Sequence, residues 1–162
     1  MMKFCVIVPV YNHEAAITQV VEQLKPLQLA CILINDGSSA ACTRILQQIA
    51  TKESDWVTLL ERPINGGKGA AVIEGFNAAI NQGFSHAIQI DADGQHNFDD
   101  ISVFIEASKQ FPQRLIAGKP IFDKSVPKTR LYGRQFTNLW IWINTLSFAI
   151  ADGMCGFRCY PL

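Results

Sequence analysis

The stretch Ile88-Gln89-Ile90-Asp91-Ala92-Asp93-Gly94-Gln95-His96 ends a short apolar run in two carboxylates that stand one residue apart. Such a run is typical of a buried strand that delivers oxygen ligands to the carboxyl edge of a sheet. Residues i and i+2 of an extended segment point the same way, so we expect Asp91 and Asp93 to reach one ion together. Two carboxylates about 4 Å apart repel by roughly 4 kcal/mol at an effective dielectric of 20, and a divalent cation removes that penalty. The alternative is a loop whose aspartates cap the next helix.

Strand and helix patterns alternate on both sides of this stretch. Apolar, β-branched runs predict strands, and apolar residues at helical spacing predict helices. The predicted strands are 4–10, 30–34, 56–60, 86–90 and 115–118, and the predicted helices run up to 26, over about 41–51, up to about 82, and over about 98–110 and 129–151. This order predicts an α/β protein with a Rossmann-like, mostly parallel sheet and helices on both faces.

Composition agrees with one domain over 1–162. A chain of 162 residues with 49% hydrophobic and 17% charged residues can bury a sizeable core and has no disordered bias. Its formal net charge is +0, and no basic stripe is present, so we expect no nucleic-acid partner.

Five cysteines are present without a Cys-x-x-Cys pair. Cys5 and Cys31 lie in apolar runs and are predicted to be reduced core residues, which suits a cytoplasmic protein. Cys155 and Cys159 are interpreted as structural as well. No signal peptide is recognised, and no segment reaches the roughly 20 apolar residues that span a bilayer.

Two loops that follow predicted strands carry polar side chains. Asn12 is predicted to cap the first helix, with Glu14 in its first turn. Asp36 follows the second strand, where it is well placed to accept hydrogen bonds from a ribose or a base. The alternative role for Asp36 is capping the helix that begins near 41.

A glycine-rich segment, Asn65-Gly66-Gly67-Lys68-Gly69, opens the third predicted helix. Exposed amides at a helix start suit an anion, and Lys68 adds a point charge. The spacing is neither that of a Walker loop nor Gly-x-Gly-x-x-Gly. The alternative is a tight turn with close helix–sheet packing.

Ligands of open α/β sheets bind at the carboxyl ends of the strands. Asp36, Lys68, Asp91 and Asp93 are all predicted to lie at such ends. On the last predicted helix, Arg130, Arg134 and Asn138 are spaced four apart on one face. The two arginines could hold a phosphate, and the alternative is a solvated face.

Four motifs together resemble family 2 glycosyltransferases, and within them the polyprenyl-phosphate (dolichol-phosphate) sugar synthase branch. In chain order they are Val8-Pro9-Val10-Tyr11-Asn12-His13-Glu14, Asn35-Asp36-Gly37-Ser38, Asn65-Gly66-Gly67-Lys68-Gly69-Ala70 and Asp91-Ala92-Asp93-Gly94-Gln95-His96. The resemblance covers nearly the whole chain. It implies a GT-A nucleotide-sugar-binding fold and a transfer that inverts the anomeric centre.

The resemblance also implies roles for the donor site. Pro9, Tyr11 and Glu14 would line the nucleotide pocket. Asp36 would hold the base, and Asp91 the ribose or diphosphate side.

Metal and phosphate contacts follow from the same resemblance. Asp93 and Gln95, with Asp91 beside them, would ligate Mg²⁺ or Mn²⁺ together with the diphosphate, because such ions favour carboxylate and amide oxygens. Arg130 and Arg134 would meet acceptor or donor phosphate.

Several positions depart from the family pattern. Asn35 stands where many relatives have a second aspartate, which leaves the nucleobase open, His13 is unusual in the first loop, and Asn97 replaces a frequent proline. The chain stops at Leu162, whereas relatives continue, so we expect it to be the N-terminal part of a longer protein.

Three functions are compared. The first is a metal-dependent transferase acting on a lipid phosphate, which is already an anion, or on a glycan hydroxyl, for which Asp152 is the candidate base. Asp152 could instead make only a turn hydrogen bond. The second is a nucleotide-sugar-binding domain without turnover. The third, a nucleotidyltransferase, is disfavoured because no glycine-rich loop follows the first strand.

A membrane-related role is also considered. Trp140, Trp142 and Phe148 could contact a membrane surface peripherally, which would place the protein at the cytoplasmic face of a membrane. The alternative is that these three aromatic side chains pack in a core.

Overall fold

The computed structural model describes residues 1–120, 128–146, 148 and 152–162, with the backbone alone for 128–134. The strands are β1 Phe4–Val10, β2 Ala30–Asp36, β3 Val57–Arg62, β4 His86–Gln89, β5 Ile116–Ala117 and β6 Arg158–Pro161. The helices are α1 Ile17–Leu24, α2 Ala40–Lys52, α3 Lys68–Asn81, α4 Asp100–Gln110 and α5 Lys128–Thr145. The predicted order of elements up to α5 is therefore confirmed, with shifts of one to three residues at most ends, and β6 follows α5.

Across these described residues the strands form one sheet in the order β3-β2-β1-β4-β6-β5. β1 lies between β2 and β4 and is parallel to both, and β2 is parallel to β3. β6 runs antiparallel to β4. The predicted mostly parallel α/β architecture is confirmed.

The chain divides into two compact units. The first consists of Met1–Ile116 and Phe157–Leu162, and it holds most of the sheet and α1 to α4. The second consists of Ala117–Gly156 and holds α5.

Burial on both faces explains why the central strands are continuously apolar. Cys5 and Ile7 of β1 pack with Ile32 of β2 against Ala71 and Val72 of α3. The alternate residues of β1 and β2 are buried to the same degree: Val6, Val8, Cys31 and Leu33. A strand with both sets of side chains removed from water shows no polar alternation.

Parallel register brings the ends of the first three strands level. Val10 pairs with Asn35, and Asp36 pairs with Arg62. The polar residues that follow these strands therefore start from the same edge of the sheet.

The predicted cap of α1 is wrong. Asn12 has a φ of 55°, and its side-chain Oδ1 accepts the Ser39 N–H at 2.8 Å, so it joins the loops after β1 and β2. α1 begins at Ile17 without a side-chain cap, and Glu14 lies outside its first turn.

The start of α2 is capped by Ser39, not by Asp36. The Ser39 hydroxyl accepts the Cys42 N–H at 3.3 Å. We expect Ser39→Ala to lower the free energy of unfolding by about 1 kcal/mol, because one helix N–H loses its acceptor. Urea unfolding monitored by circular dichroism would measure this loss. The exposed control Ser54→Ala should be nearly neutral, and equal losses in both variants would contradict the capping role.

The remaining boundaries show smaller differences. α4 begins at Asp100, two residues later than predicted, and only Asp100 of the two adjacent aspartates lies in its first turn. α5 ends at Thr145, whereas the prediction continued to 151; residues 149–151 lie outside the described part.

All five cysteines are free and buried, which confirms the prediction of reduced core residues for Cys5 and Cys31. Burial raises the pKa of the Cys5 thiol to about 12, so it stays protonated. Among the described residues, no helix combines the length and apolar character needed to cross a bilayer.

In the second unit, a turn after α5 is held by side chains. The Asn138 Oδ1 accepts the Gly153 N–H at 3.1 Å.

The aromatic side chains of the second unit differ in exposure. Trp140 and Phe148 are 59% and 81% exposed, so the alternative of core packing is wrong for these two side chains. Trp142 is half-buried and meets Phe148 edge to face.

Candidate active site

A cavity of about 400 Å³ lies at the carboxyl ends of β1, β2 and β4, within the first unit. Its wall comes from the ends of β1 and β2, from the loops that follow β1, β3 and β4, and from the start of α3. The lining residues are Pro9, Val10, Tyr11, His13, Asp36, Asn65, Gly67, Lys68, Asp91, Ala92 and Asp93. One concave space with carboxylates at separate positions in its wall can take a ligand that carries several polar groups.

Asp91 is held by two basic side chains. It forms an ion pair with Lys68, and the Nε2 atom of His96 lies 3.6 Å from its Oδ2 atom. Partial burial raises the pKa of Asp91, but the contacts with His96 and Lys68 outweigh burial and lower it to about 2. The Asp91 carboxylate is therefore ionised at neutral pH.

This pKa predicts an acid-dependent stability. Because the folded pKa is below the ordinary 3.8, the stabilisation is present above pH 3.8 and is lost as the pH falls through about 2. With the Asp91 side chain 27% exposed, we expect Asp91→Asn to cost about 2 kcal/mol near pH 6 and much less near pH 2.5. Urea unfolding at both pH values would measure the difference. A stability cost of Asp91→Asn that does not change with pH would contradict the prediction. The exposed control Asp55→Asn should show no pH-dependent cost.

Asp93 lies in a turn and not in an extended segment. β4 ends at Gln89, and the backbone turns through Ala92 and Gly94, whose φ is 72°. The Asp93 Oδ1 accepts the Gln95 N–H at 3.0 Å. The extended geometry predicted for the acidic pair is therefore wrong, although both carboxylates still line one cavity.

Asp36 is buried at another part of the cavity wall. Its Oδ1 atom lies 2.8 Å from Nε of Arg62 and accepts the Gly66 N–H at 2.9 Å. A buried carboxylate needs such partners, because an unpaired charge away from water is costly.

The glycine-rich segment is both a tight turn and a cavity wall. Gly67 has a φ of 85° and precedes α3, which begins with Lys68. Gly67 and Lys68 both line the cavity. The positive end of α3 therefore faces the space where an anion would bind.

Two carboxylates fit a cation that a ligand helps to coordinate. Within the part of the chain that the structure describes, no three or more His, Cys, Asp or Glu side chains form a metal cluster. Mg²⁺ commonly takes one or two protein carboxylates, with phosphate oxygens and waters in its other positions. Asp91 and Asp93 supply such a donor set beside one cavity.

The cavity brings together most of the predicted donor-site residues: Pro9, Tyr11, Asp36, Lys68, Asp91 and Asp93. Glu14 and Gln95 are exposed and do not line it. The side chains of Arg130 and Arg134 lie outside the described part.

Asp152 belongs to the second unit. Its Oδ1 atom accepts the N–H groups of Met154 and Cys155 at 2.9 and 2.8 Å. The turn hydrogen bond considered as its alternative role is present.

Asn35 is a buried packing residue. Its side chain donates to the Thr43 hydroxyl at 2.9 Å and accepts the Ser38 N–H at 3.0 Å. It does not line the cavity.

Sequence reasoning missed Arg62 and gave Asn65 no role of its own. Arg62 contacts Asp36, and Asn65 lines the cavity. A basic residue at the carboxyl end of the third strand, level with Asp36 in a parallel register, was the signal available for Arg62.

Comparison with known proteins identifies a family. The sequence model described as Glycosyl transferase family 2 matches residues 5–162. A polyprenol monophosphomannose synthase of Mycolicibacterium smegmatis is 28% identical over 160 residues, covering 96% of this chain and 60% of the relative. A UDP-N-acetylglucosamine–dolichyl-phosphate N-acetylglucosaminyltransferase of Methanococcus voltae is 27% identical over 173 residues, covering 95% of this chain and 67% of the relative. The first of these relatives is therefore much longer than the chain.

Two solved structures share the fold. The mannosyltransferase PcManGT from Pyrobaculum calidifontis, solved with GDP-Man and Mn²⁺, has a TM-score of 0.61 and 18% identity, covering 74% of this chain and 36% of that chain. A mycobacterial protein has a TM-score of 0.69 and 15% identity, covering 99% of this chain and 53% of that chain. The architecture is that of GT-A glycosyltransferases.

Proposed function

We propose, because the chain belongs to glycosyl transferase family 2, that it carries the donor site of an enzyme that moves a sugar from a nucleotide sugar to a lipid phosphate. One observation carries the proposal. Asp36, Lys68 and the acidic pair Asp91 and Asp93 line one cavity of about 400 Å³ at the ligand-binding edge of the sheet. Such a cavity suits a ligand with a base at one end and a diphosphate at the other.

The nucleoside would lie toward Asp36 and the diphosphate toward the start of α3. There the Lys68 ammonium and the positive helix end favour anionic oxygens. This orientation would place the diphosphate beside Asp91 and Asp93 as well.

A divalent cation explains how a diphosphate could lie beside two carboxylates. Asp91 and Asp93 would hold Mg²⁺ or Mn²⁺, and Gln95 is a further candidate from the family resemblance. When bound, the ion would neutralise the charge that develops on the departing nucleoside diphosphate. The structure of PcManGT with GDP-Man and Mn²⁺ supports this assignment by analogy.

The acceptor is proposed to be a polyprenyl or dolichyl phosphate, because the names of the two relatives refer to a polyprenol and to dolichyl phosphate. Its phosphate is an anion at neutral pH, so attack on the anomeric carbon with inversion requires no strong base. Arg130 and Arg134 remain candidates for an acceptor or donor phosphate. For a glycan hydroxyl acceptor, Asp152 would be the candidate base, although two N–H groups already engage its Oδ1 atom.

A lipid acceptor also implies work at a membrane surface. The exposed Trp140 and Phe148 side chains are proposed to contact that surface, because aromatic rings favour the lipid–water interface. Co-sedimentation with anionic vesicles should fall in Trp140→Ser. Equal co-sedimentation of the unmodified protein and of Trp140→Ser would contradict this contact.

The donor assignment is tested by thermal shift and by transfer. GDP, UDP and their mannose, glucose or N-acetylglucosamine derivatives are added with and without Mn²⁺. The nucleotides that carry one of the two bases should raise the melting temperature, and they should raise it more strongly when Mn²⁺ is present. Radiolabelled sugar should then pass from the preferred donor to a polyprenyl phosphate. Binding without transfer would favour the nucleotide-sugar-binding domain, and the absence of any nucleotide effect would overturn the proposed donor site.

A further inference from the structure

We propose that Arg62 is a positioning residue that couples the nucleoside end of the donor site to its diphosphate end. This inference rests on the proposed function. It concerns a residue that does not line the cavity and would act through two that do, Asp36 and Lys68.

The first step is the pairing at the end of β3. Arg62 and Asp36 are register partners on adjacent parallel strands, and Nε of Arg62 lies 2.8 Å from Oδ1 of Asp36. Asp36 is 3% exposed, so water cannot solvate its carboxylate, and the charge needs a partner within the protein. The orientation of the carboxylate that faces the cavity therefore depends on the guanidinium.

The second step is the other end of the guanidinium. Its Nη1 atom donates to Oε2 of Glu74 on α3 at 2.8 Å. Arg62 thereby joins α3 to the carboxyl end of β2 through Asp36. The two contacts, an ion pair with Asp36 at Nε and a hydrogen bond to Glu74 at Nη1, use different nitrogens of one guanidinium, so the single ammonium of a lysine cannot reproduce both equally well.

The third step is the segment that precedes α3. Asp36 accepts the Gly66 N–H at 2.9 Å, two residues before Lys68. A side chain at Gly66 would collide with the Arg62 guanidinium, so this backbone lies directly against it. The same network thus fixes the start of α3, from which Lys68 reaches Asp91.

The inference predicts that Arg62 and Lys68 act together on the phosphates. Calorimetry would measure the affinity of UDP or GDP, whichever binds the unmodified protein more tightly, and of the matching nucleoside, at fixed Mg²⁺. We expect Lys68→Met to weaken nucleoside diphosphate binding about ten-fold in the unmodified protein, but only about two-fold in an Arg62→Lys background. Nucleoside binding should respond to Arg62→Lys and not to Lys68→Met.

Arg62→Lys keeps a positive charge beside Asp36, so it is expected to fold, whereas Arg62→Met would leave the buried carboxylate unpaired. Glu74→Gln provides a second route, because it loosens the guanidinium without touching Asp36, and it should also reduce the effect of Lys68→Met. Arg44→Lys, at an exposed position of α2, is the matched control and should leave all affinities unchanged.

The outcomes separate this inference from the proposed function. Normal nucleotide binding with independent effects of Arg62→Lys and Lys68→Met would overturn the positioning role alone. If the unmodified protein binds neither UDP nor GDP, the proposed function is overturned and the positioning role with it. Smaller Lys68→Met effects in both loosened backgrounds would support the coupling.

Discussion

Asparagine in place of Asp93 is expected to lower the rate of sugar transfer by about 10³-fold, the largest effect on activity that we predict. The substitution removes one negative charge from the proposed cation site. A bound cation stabilises the charge of the transition state by several kcal/mol, and each loss of about 1.4 kcal/mol slows the reaction about ten-fold. Asparagine keeps a side-chain oxygen, so the Gln95 N–H retains its acceptor and the turn is preserved. Initial rates with Mn²⁺ and a polyprenyl phosphate acceptor would measure the loss.

Folding and metal coupling provide the controls for this variant. The melting temperature without ligand should be unchanged, whereas the additional stabilisation that Mn²⁺ gives to nucleotide binding should disappear. Asp55→Asn, a substitution at an exposed position in the turn before β3 and away from the cavity, should retain full activity. Asp93→Asn with activity close to that of the unmodified protein would refute the metal role.

Alanine in place of Gly37 is expected to destabilise the fold by about 3 kcal/mol or more, the largest stability effect among these predictions. Gly37 has a φ of +65°, and a Cβ atom there would lie 2.5 Å from the backbone N of Asn65 and 2.7 Å from the carbonyl C of Ile64. Backbone atoms cannot move aside as a flexible side chain can. For a chain of this length the melting temperature should fall by roughly 6–12 °C.

Gly83 is the matched control. Its φ is +78°, but no atom lies within 4 Å of the position of a Cβ. Gly83→Ala should therefore cost only the conformational penalty of about 1 kcal/mol. Since Asn65 lines the cavity, Gly37→Ala should also weaken nucleotide binding, whereas Gly83→Ala should not. Equal losses of stability in the two variants would show that the close approach of the two loops is unimportant.

Much of the fold could be predicted because its signals are local. The buried runs of β1 and β2 are apolar on both faces, and such a pattern is hard to satisfy in any element except a central parallel strand. The positions of Asp36, Lys68, Asp91 and Asp93 after strands or at a helix start then followed from sequence order. Their meeting in one cavity confirms that inference.

Predictions about backbone direction and hydrogen-bond partners were less successful. Asn12 contacts Ser39 instead of capping α1, because the loops after β1 and β2 meet across the sheet edge. Asp91 and Asp93 were predicted to extend from β4, but the strand ends at Gln89 and the chain turns at Ala92 and Asp93. Each outcome depends on which polar group is nearest in space, and local sequence does not encode that distance.

The sequence by itself determined the order of strands and helices, the buried faces and the edge of the sheet at which polar residues accumulate, since side-chain periodicity and turn residues act over short distances. Only the tertiary structure decided that Arg62 holds Asp36 and that Lys68 holds Asp91. Those partners lie more than twenty residues apart in the chain. Strand register and the placement of α3 bring them together, and both arise from packing the whole sheet.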